Sequence, residues 1–508
     1  MKKWCSLIMV ICLLFTGTAT VFAEERNFDE LLEIKWFGYN QPNEMPMDDT
    51  RVARRFEEMY NIDIKNIQLE EQNPEKVSLF LNTGLEFDIN TYCVTTVEDM
   101  LKADAIRSIP LEYLETYAPD IVKMLDNAHE KWKSLVTVDG EIWCIPIYSE
   151  SYKCPSGMAL RTDWLKNLNI EEMPTTLDEL EEMLLRFRTD DPDGNGVCDT
   201  YALTMPTGSK GNFERLCPYV FGAYGVVPHA WNIAEDGTPV YYATMEGYRE
   251  ALKRMRKWYE IGIFDPECVV DTSETAAAKV ASGRIAGCTG TEWLLISTYN
   301  NTPFNELCLA HPELDPDTVS TIIPPVPKAY SYANTLSAWS GTFFGRNCSD
   351  EKMIRLLQLL NDSYRDEDLM ALALYGEKDI DYTVDEEGFY NVKYLQAQYD
   401  VGNGRYYHFS IPPQFMKMQF PNARYKAFKQ MVDWDVVPRH IADLFKTPED
   451  TEYGAAIGTI ETEYFWKVLV GEANTEEDWD AYVKAWNDAG GKAVTEAKLA
   501  LAEEKGLN

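Results

Sequence analysis

The run Asp190-Asp191-Pro192-Asp193-Gly194-Asn195-Gly196-Val197-Cys198-Asp199 carries the sharpest local chemistry in this 508-residue sequence. Asp191, Asp193, Asn195, the Val197 carbonyl and Asp199 fall at positions 1, 3, 5, 7 and 9 of a calcium loop, with Gly196 where such a loop must turn sharply. Alternating oxygen donors suit a hard cation because the curling backbone brings them towards one centre. Position 12 is Ala202, so the bidentate carboxylate that completes such loops comes from elsewhere or the site is weak. An Asx-rich turn holding no ion is the competing reading. The expectation is a structural calcium and no organic cofactor. Zinc is not expected, because there is no Cys-x-x-Cys pair and no Cys/His ligand spacing.

The second candidate chemistry is stacking. Of thirteen tryptophans, Trp36, Trp143, Trp231, Trp293 and Trp339 stand in segments without helical periodicity. Flat rings stack on the C–H faces of sugars while neighbouring polar groups bond the hydroxyls. Each of them, taken alone, also fits a core position. Trp132, Trp258, Trp466, Trp479 and Trp486 lie in helical patterns and are assigned to packing. Covalent chemistry finds little support. There is no H-E-x-x-H or G-x-S-x-G, and the five histidines are isolated. Ser349-Asp350-Glu351-Lys352 matches S-x-x-K without its partner motifs and reads as a helix cap. Gly402-Asn403-Gly404 lacks the third glycine of a dinucleotide loop. With 83 acidic residues, a glycosidase-like carboxylate pair cannot be picked out. The expectation is a binding protein rather than an enzyme.

The elements around these residues alternate. Glu33–Asn40 reads as a strand, 49–60 as a helix with Val52, Phe56 and Met59 on one face, and 62–64 as a strand. A helix at 74–82 and a strand at 87–92 follow, the rhythm of an α/β lobe with a largely parallel sheet. Asp139-Gly140 between strand formers predicts a hairpin, and Pro146 beyond it begins a crossing to a second lobe. Thr176 with Glu179 forms a capping box for a helix burying Leu180, Met183, Leu184 and Phe187. Tyr248, Leu252, Met255, Trp258 and Tyr259 give a second amphipathic helix, stopped at Gly262. Pro324-Pro325-Val326-Pro327 reads as a stiff return crossing.

Bulk properties narrow the partners. Lys2 and Lys3, the apolar run 7–15 and Val21-Phe22-Ala23 have the pattern of a secretory signal peptide cleaved near Ala23. Ile11 before Cys12 does not fit a lipobox, so a lipid anchor is not supported and a released protein is expected. Beyond the leader, 45 basic residues face 83 acidic ones, a net charge of −38 that argues against nucleic acid and anionic membranes as partners. Nine scattered cysteines outside the leader read as small buried apolar residues, with a pair such as Cys144 and Cys154 left open.

In order along the chain, SIPLEYLETYAPDI (108–121), DGEIWCIP (139–146), the 160–204 block beginning LRTDWLKNLNIEEMPTTLDELEEMLLRFRTDDPDGNG, YREALKRMRKWYEIGIFDPE (248–267), SGRIAG (282–287), YGEKDIDYTVDEEGFY (375–390) and WKVLVGEANTEEDWDAYVKAW (466–486) resemble the extracellular solute-binding proteins, family 1, of ABC sugar importers, in their LplA- or LipO-like branch. The resemblance implies an α/β, two-lobed, periplasmic-binding-protein-like fold of type II with a hinge between the lobes. It places lobe 1 at 24–147 plus about 328–375, lobe 2 at 148–327, and a helical region at 376–508 that contributes to both. It implies a small solute, an oligosaccharide first, bound by hinge closure and passed to the transmembrane subunits of an ABC permease. The protein is expected to be a monomer held at the cell surface through that permease. A peptide, a lipid-linked or other non-sugar solute, a ligand-presenting sensor and a glycoside-active enzyme are the alternatives. Gly290-Thr291-Glu292-Trp293 resembles the segment that puts a stacking tryptophan in the cleft of such receptors, and Trp231 an aromatic preceding a D-G hairpin. Trp36, Tyr39 and Asn40 follow the first strand at the cleft edge. Arg161 holds the basic position of the family's R-x-D-W-L segment, and Tyr148 and Trp339 complete the expected ligand set. The missing lipobox and Thr200 after Asp199 depart from the family's pattern.

Overall fold

The computed structural model describes residues 28–38, 48–69, 73–84, 86–91, 97–129, 131–204, 216–297, 302–331, 336–392, 410–420 and 422–506. The leader, Tyr39, Asn40, Cys93 and the Gly402–Gly404 stretch lie outside them.

Strand formers at 32–37 and 62–66 pair in parallel, Leu32 opposite Ile62 and Trp36 opposite Asn66. The helix between them, Arg51–Tyr60, is capped by Thr50, whose hydroxyl accepts from the Ala53 N–H, and buries Val52, Ala53, Phe56 and Tyr60. A first sheet follows in the order Ile62–Asn66, Leu32–Phe37, Ile89–Asn90, Leu336–Gly345, Ile106–Arg107. The strand Ile145–Tyr148 joins it by pairing with Leu336–Gly345 from Leu336 to Thr342. That pairing slips between Ser337 and Gly341. Gly341 permits the slip, because a Cβ there would stand 2.6 Å from the Ile145 carbonyl oxygen.

The second sheet orders Ser320–Ile323, Gly157–Arg161, Ile285–Gly290, Tyr201–Leu203. Helices Leu177–Thr189 and Glu246–Glu260 lay their buried stripes in the core of the same lobe, with Leu180, Met183, Leu184 and Phe187 on one and Tyr248, Leu252, Met255 and Trp258 on the other. The expected capping box is formed: Glu179 N–H donates to Thr176 Oγ1 at 3.2 Å and Thr176 N–H to Glu179 Oε2 at 3.3 Å. The Asp139-Gly140 hairpin forms too, both residues at positive φ (52° and 82°).

Two principal cores result, and they divide the chain at three places. Lobe 1 packs residues from Leu32 to Tyr148 with Phe343 to Met418. Lobe 2 packs Cys154 to Tyr330 with Phe420 to Val494. The chain crosses between Tyr148 and Cys154, between Tyr330 and Leu336, and between Met418 and Phe420. The boundaries therefore differ from those expected. Val326 is buried in lobe 2, so the proline-rich stretch does not form the return crossing. Of the region from 376, Tyr382, Tyr390, Ile411, Phe415 and Met418 pack in lobe 1, and the residues from Phe420 onward pack in lobe 2. The return crossing follows Tyr330, whose carbonyl accepts from Ser156 N–H at 2.9 Å, tying two crossings together.

Helices Pro448–Val470, Trp479–Trp486 and Lys492–Glu504 all add to lobe 2. Inside them Glu461 is 1% exposed and accepts from Trp486 Nε1 and Tyr242 Oη, each at 2.7 Å. The tip of the last helix reaches lobe 1: Leu135 packs against Phe445 and Ala502, and Lys131 Nζ donates to the Gly506 carbonyl at 3.2 Å. All eight described cysteines are free thiols, so Cys144 and Cys154 are not bridged. Among the described residues, no helix is long and apolar enough to cross a membrane.

Candidate functional site

The residues with binding potential gather where the lobes join. Ile285–Gly290 runs antiparallel to Gly157–Arg161, so Gly290 lies opposite Gly157, the first strand residue past the crossing. At Gly290 the chain leaves the sheet with φ +150°, and a Cβ would stand 2.5 Å from Leu294 Cδ1. The next residues turn tightly, Leu294 N–H donating to Thr291 O at 3.0 Å and Leu295 N–H to Glu292 O at 3.3 Å. Glu292 is fully buried, and Trp293 beside it is 38% exposed. A large aromatic ring thus projects from the hinge end of the lobe 2 sheet.

Glu292 is held by Arg424. Arg424 Nε and Nη2 both approach its Oε1, at 2.8 and 2.7 Å, and the guanidinium lies 4.2 Å over the Phe420 ring. The Cys154 thiol lies near this carboxylate, and burial and the Glu292 charge push it well above the usual range. One turn therefore lies near the chain just past the first crossing and touches it just past the third.

Tyr148 ends the lobe 1 strand Ile145–Tyr148 and lines a cavity of about 610 Å³. Glu150 and Lys153 of the first crossing, Pro412, Pro413 and Gln414 near the third, one face of helix Pro119–Ala128 and the end of helix Asp350–Arg365 share the lining. The Tyr148 hydroxyl donates to Glu150, and Lys153 Nζ donates to Glu150 Oε1 at 2.7 Å. Tyr148 N–H donates to Ser410 Oγ at 2.9 Å, so the first crossing is also bonded to the segment leading into the third.

Other expected ligand residues sit elsewhere. Trp36 is wholly buried in the lobe 1 core, its indole N–H pointing to Thr91 Oγ1 at 3.4 Å. Trp231 is buried in lobe 2, 5.3 Å from the Tyr241 ring and under Lys498 of the last helix. Both are corrected to core residues: each strand they occupy is covered on the face they use. Arg161 is also corrected. It ends the Gly157–Arg161 strand on the side away from the crossing, bonded to Asp163 at 3.0 and 2.6 Å and stacked 4.4 Å over Trp164. Trp339 belongs to the strand Leu336–Gly345, while its side chain, like Tyr39 and Asn40, lies outside the described residues. Sequence reasoning missed Glu150, Lys153, Glu292 and Arg424. The polar cluster directly after Pro146 was a usable signal for the first two, whereas Glu292 and Arg424 are 132 residues apart in the chain.

The 190–199 loop curls as its spacing implies, with Asp191, Gly194 and Gly196 at positive φ. Asn195 and Gly196 N–H groups donate to the two Asp191 oxygens at 3.1 and 2.8 Å, and the Asn195 amide to Asp193 Oδ2 at 2.9 Å and Asp199 Oδ1 at 3.4 Å. The Gly196 N–H above all holds the Asp191 carboxyl below its usual value, while burial and the Asp191 and Asp199 charges raise Asp193. Donor types and order fit a hard cation, with the Asn195 amide standing between the carboxylates. Among the described residues no group of three or more His, Cys, Asp or Glu is arranged as a metal cage. Ala202 is buried in the strand Tyr201–Leu203 and offers no twelfth-position oxygen.

Two α/β lobes joined by three crossings, with an exposed tryptophan at the junction, define the fold as that of the type II solute-binding proteins. No protein-family model matches the chain. It is similar to the polygalacturonan/rhamnogalacturonan-binding protein YtcQ of Bacillus subtilis, 22% identical over 97% of each chain. It is also similar to the fructooligosaccharide ABC transporter substrate-binding protein FusA of Streptococcus pneumoniae, 30% identical over 42% of this chain and 41% of that one. In structure it matches FusA solved with kestose, at a TM-score of 0.65 and 18% identity over 93% of this chain and 99% of that one, and FusA has also been solved as an EF-hand mutant. An extracellular solute-binding protein of Bifidobacterium longum subsp. infantis matches at a TM-score of 0.68 and 17% identity, covering 93% and 98%. The resemblance to the family 1 solute-binding proteins of ABC sugar importers holds, and these relatives are binding proteins rather than enzymes.

Proposed function

We propose that the chain is the exported substrate-binding component of an ABC importer and takes an oligosaccharide between its lobes. Trp293 carries the reading. It is a large ring, 38% exposed, fixed at the hinge end of the lobe 2 sheet by a fully buried neighbour. Such a ring stacks on a sugar face. The polar groups of Glu150, Lys153 and Tyr148 line the cavity at the first crossing and suit hydroxyl groups. The solute binds the closed arrangement better than the open one and so shifts the balance between them, with no covalent step. The closed form then docks on the permease as a monomer. YtcQ and FusA, named for polysaccharide fragments and fructooligosaccharides, give the first solutes to try.

The test is a panel of kestose, fructo-nystose and oligogalacturonates read by tryptophan fluorescence and thermal shift. At least one member is expected to bind, and Trp293→Ala to weaken it roughly tenfold, the scale of one lost aromatic stack. No response across the panel refutes the oligosaccharide reading. Chemical conversion of a bound sugar refutes the purely receptive role.

The 190–199 loop is proposed to hold a structural calcium through Asp191, Asp193, Asn195, the Val197 carbonyl and Asp199. In that role the ion would neutralise three clustered carboxylates and staple the end of helix Leu177–Thr189 to the strand Tyr201–Leu203. Cleavage near Ala23 and retention at the surface through the permease complete the proposal.

A further inference from the structure

We infer that Arg424 is a positioning residue for solute binding, acting through Glu292 to fix the direction of the Trp293 ring. The role rests on the solute-binding reading of Trp293, but what it asserts about the ring holds with or without a solute.

A buried ion pair is a poor way to gain stability. Desolvating both charges offsets their attraction, and a well-packed apolar pair of similar volume serves as well or better. What an apolar pair cannot supply is direction. Arg424 brings two donors of its rigid fork onto a single oxygen, Glu292 Oε1, at 2.8 and 2.7 Å. Its plane is fixed in turn by Phe420, a fully buried ring 4.2 Å away. Glu292 is thereby drawn fully inward, and Trp293, the next residue of the same tight turn, faces out. Gly290 makes the turn sharp, and the Leu294 and Leu295 N–H bonds close it.

The anchor is also placed to matter for closure. Arg424 lies in helix Asn422–Met431, a few residues beyond Met418, the last residue of the lobe 1 core. Glu292 lies near Cys154, the first lobe 2 core residue after the first crossing. The ring direction is therefore referred to two of the three crossings rather than to the distant part of the lobe.

The experiment needs no solute. Fluorescence spectra of full-length wild type and Trp293→Phe are subtracted to isolate the Trp293 emission, and the same subtraction is made in the Arg424→Met and Glu292→Leu/Arg424→Met backgrounds. Each variant is checked for folding by circular dichroism. Arg424→Met leaves a buried charge alone and loses stability, which a structural role predicts equally. The double variant decides. It is expected to recover the thermal midpoint while its Trp293 emission remains red-shifted and more strongly quenched by acrylamide than in the wild-type pair. Arg424→Lys, which keeps the charge and loses the fork, is expected to fall between. A double variant whose Trp293 emission and quenching equal those of the wild-type pair overturns the inference and leaves the ion pair as packing. Failure of the sugar panel alone would leave this result standing, so the two readings fail separately.

Discussion

Replacing Glu461 tests the interior of lobe 2 at its most polar point. The carboxyl is 1% exposed, on helix Pro448–Val470, and takes both the Trp486 indole N–H and the Tyr242 hydroxyl at 2.7 Å. Leucine fills nearly the same volume, so Glu461→Leu opens little cavity and isolates the hydrogen bonds. Trp486 is left as a buried donor without its acceptor, which costs about 1–3 kcal/mol. Tyr242 loses its Glu461 bond but keeps His229 Nδ1 at 3.3 Å, so its loss is near the ordinary hydrogen-bond value of about 1 kcal/mol. The sum is roughly 2–4 kcal/mol. Burial raises this carboxyl above its usual range, and the Trp486 and Tyr242 bonds and the His229 charge only partly reverse that. A raised carboxyl stabilises the fold fully below its unfolded value and loses that contribution as pH climbs through the folded value. The stability of wild type relative to Glu461→Gln should therefore be greatest at acid pH and fall from the ordinary glutamate range upward, by about 1.4 kcal/mol for each unit of the raise. Urea unfolding followed by tryptophan emission over a pH series measures both effects. A Glu461→Leu loss below about 0.5 kcal/mol, the scale of a neutral surface change, refutes the reasoning. So does a wild-type advantage that grows with pH.

Three further outcomes are expected. Calcium added to chelator-treated protein should raise the thermal midpoint, with about 2.7 kcal/mol gained at a hundredfold excess over the dissociation constant; Asp193→Asn should blunt the gain, and an unmoved midpoint in wild type excludes the ion. Arg161→Ala should lower stability by about 1 kcal/mol through the lost Trp164 stack while leaving solute affinity unchanged, and calorimetry showing weaker binding would return Arg161 to the binding set. Among the described cysteines the exposed Cys198 should alkylate first, because burial pushes Cys217 and Cys288 up to about 12; peptide mapping that finds Cys217 labelled as fast contradicts this.

What was legible in the sequence was local or repeated. The Thr176–Glu179 box, the Asp139-Gly140 turn and the stripe of Tyr248, Leu252, Met255 and Trp258 are each decided within a few residues, and each formed as spaced. Trp36 and Trp293 look alike in sequence, both in non-periodic stretches at or beyond a strand. Only the layers covering the sheet decide that one is sealed in and the other projects. The Glu292–Arg424 pair is invisible to any window shorter than 132 residues. The lobe boundary at Met418 was hidden for a different reason: the chain passes from one core to the next with no long linker to announce it.

The last helix has a mechanical consequence. Three strips of backbone joining two plates would confine the proposed closure mainly to rotation about one axis. The contact of Leu135 with Phe445 and Ala502, with Lys131 on the Gly506 carbonyl, is a fourth point of touch, made by surface rather than by chain. A rotation that parted these groups would wet an apolar seam, so on the proposed closure this contact would act as a stop. A bulky tag fused after Asn508 would then be expected to shift the resting angle between the lobes.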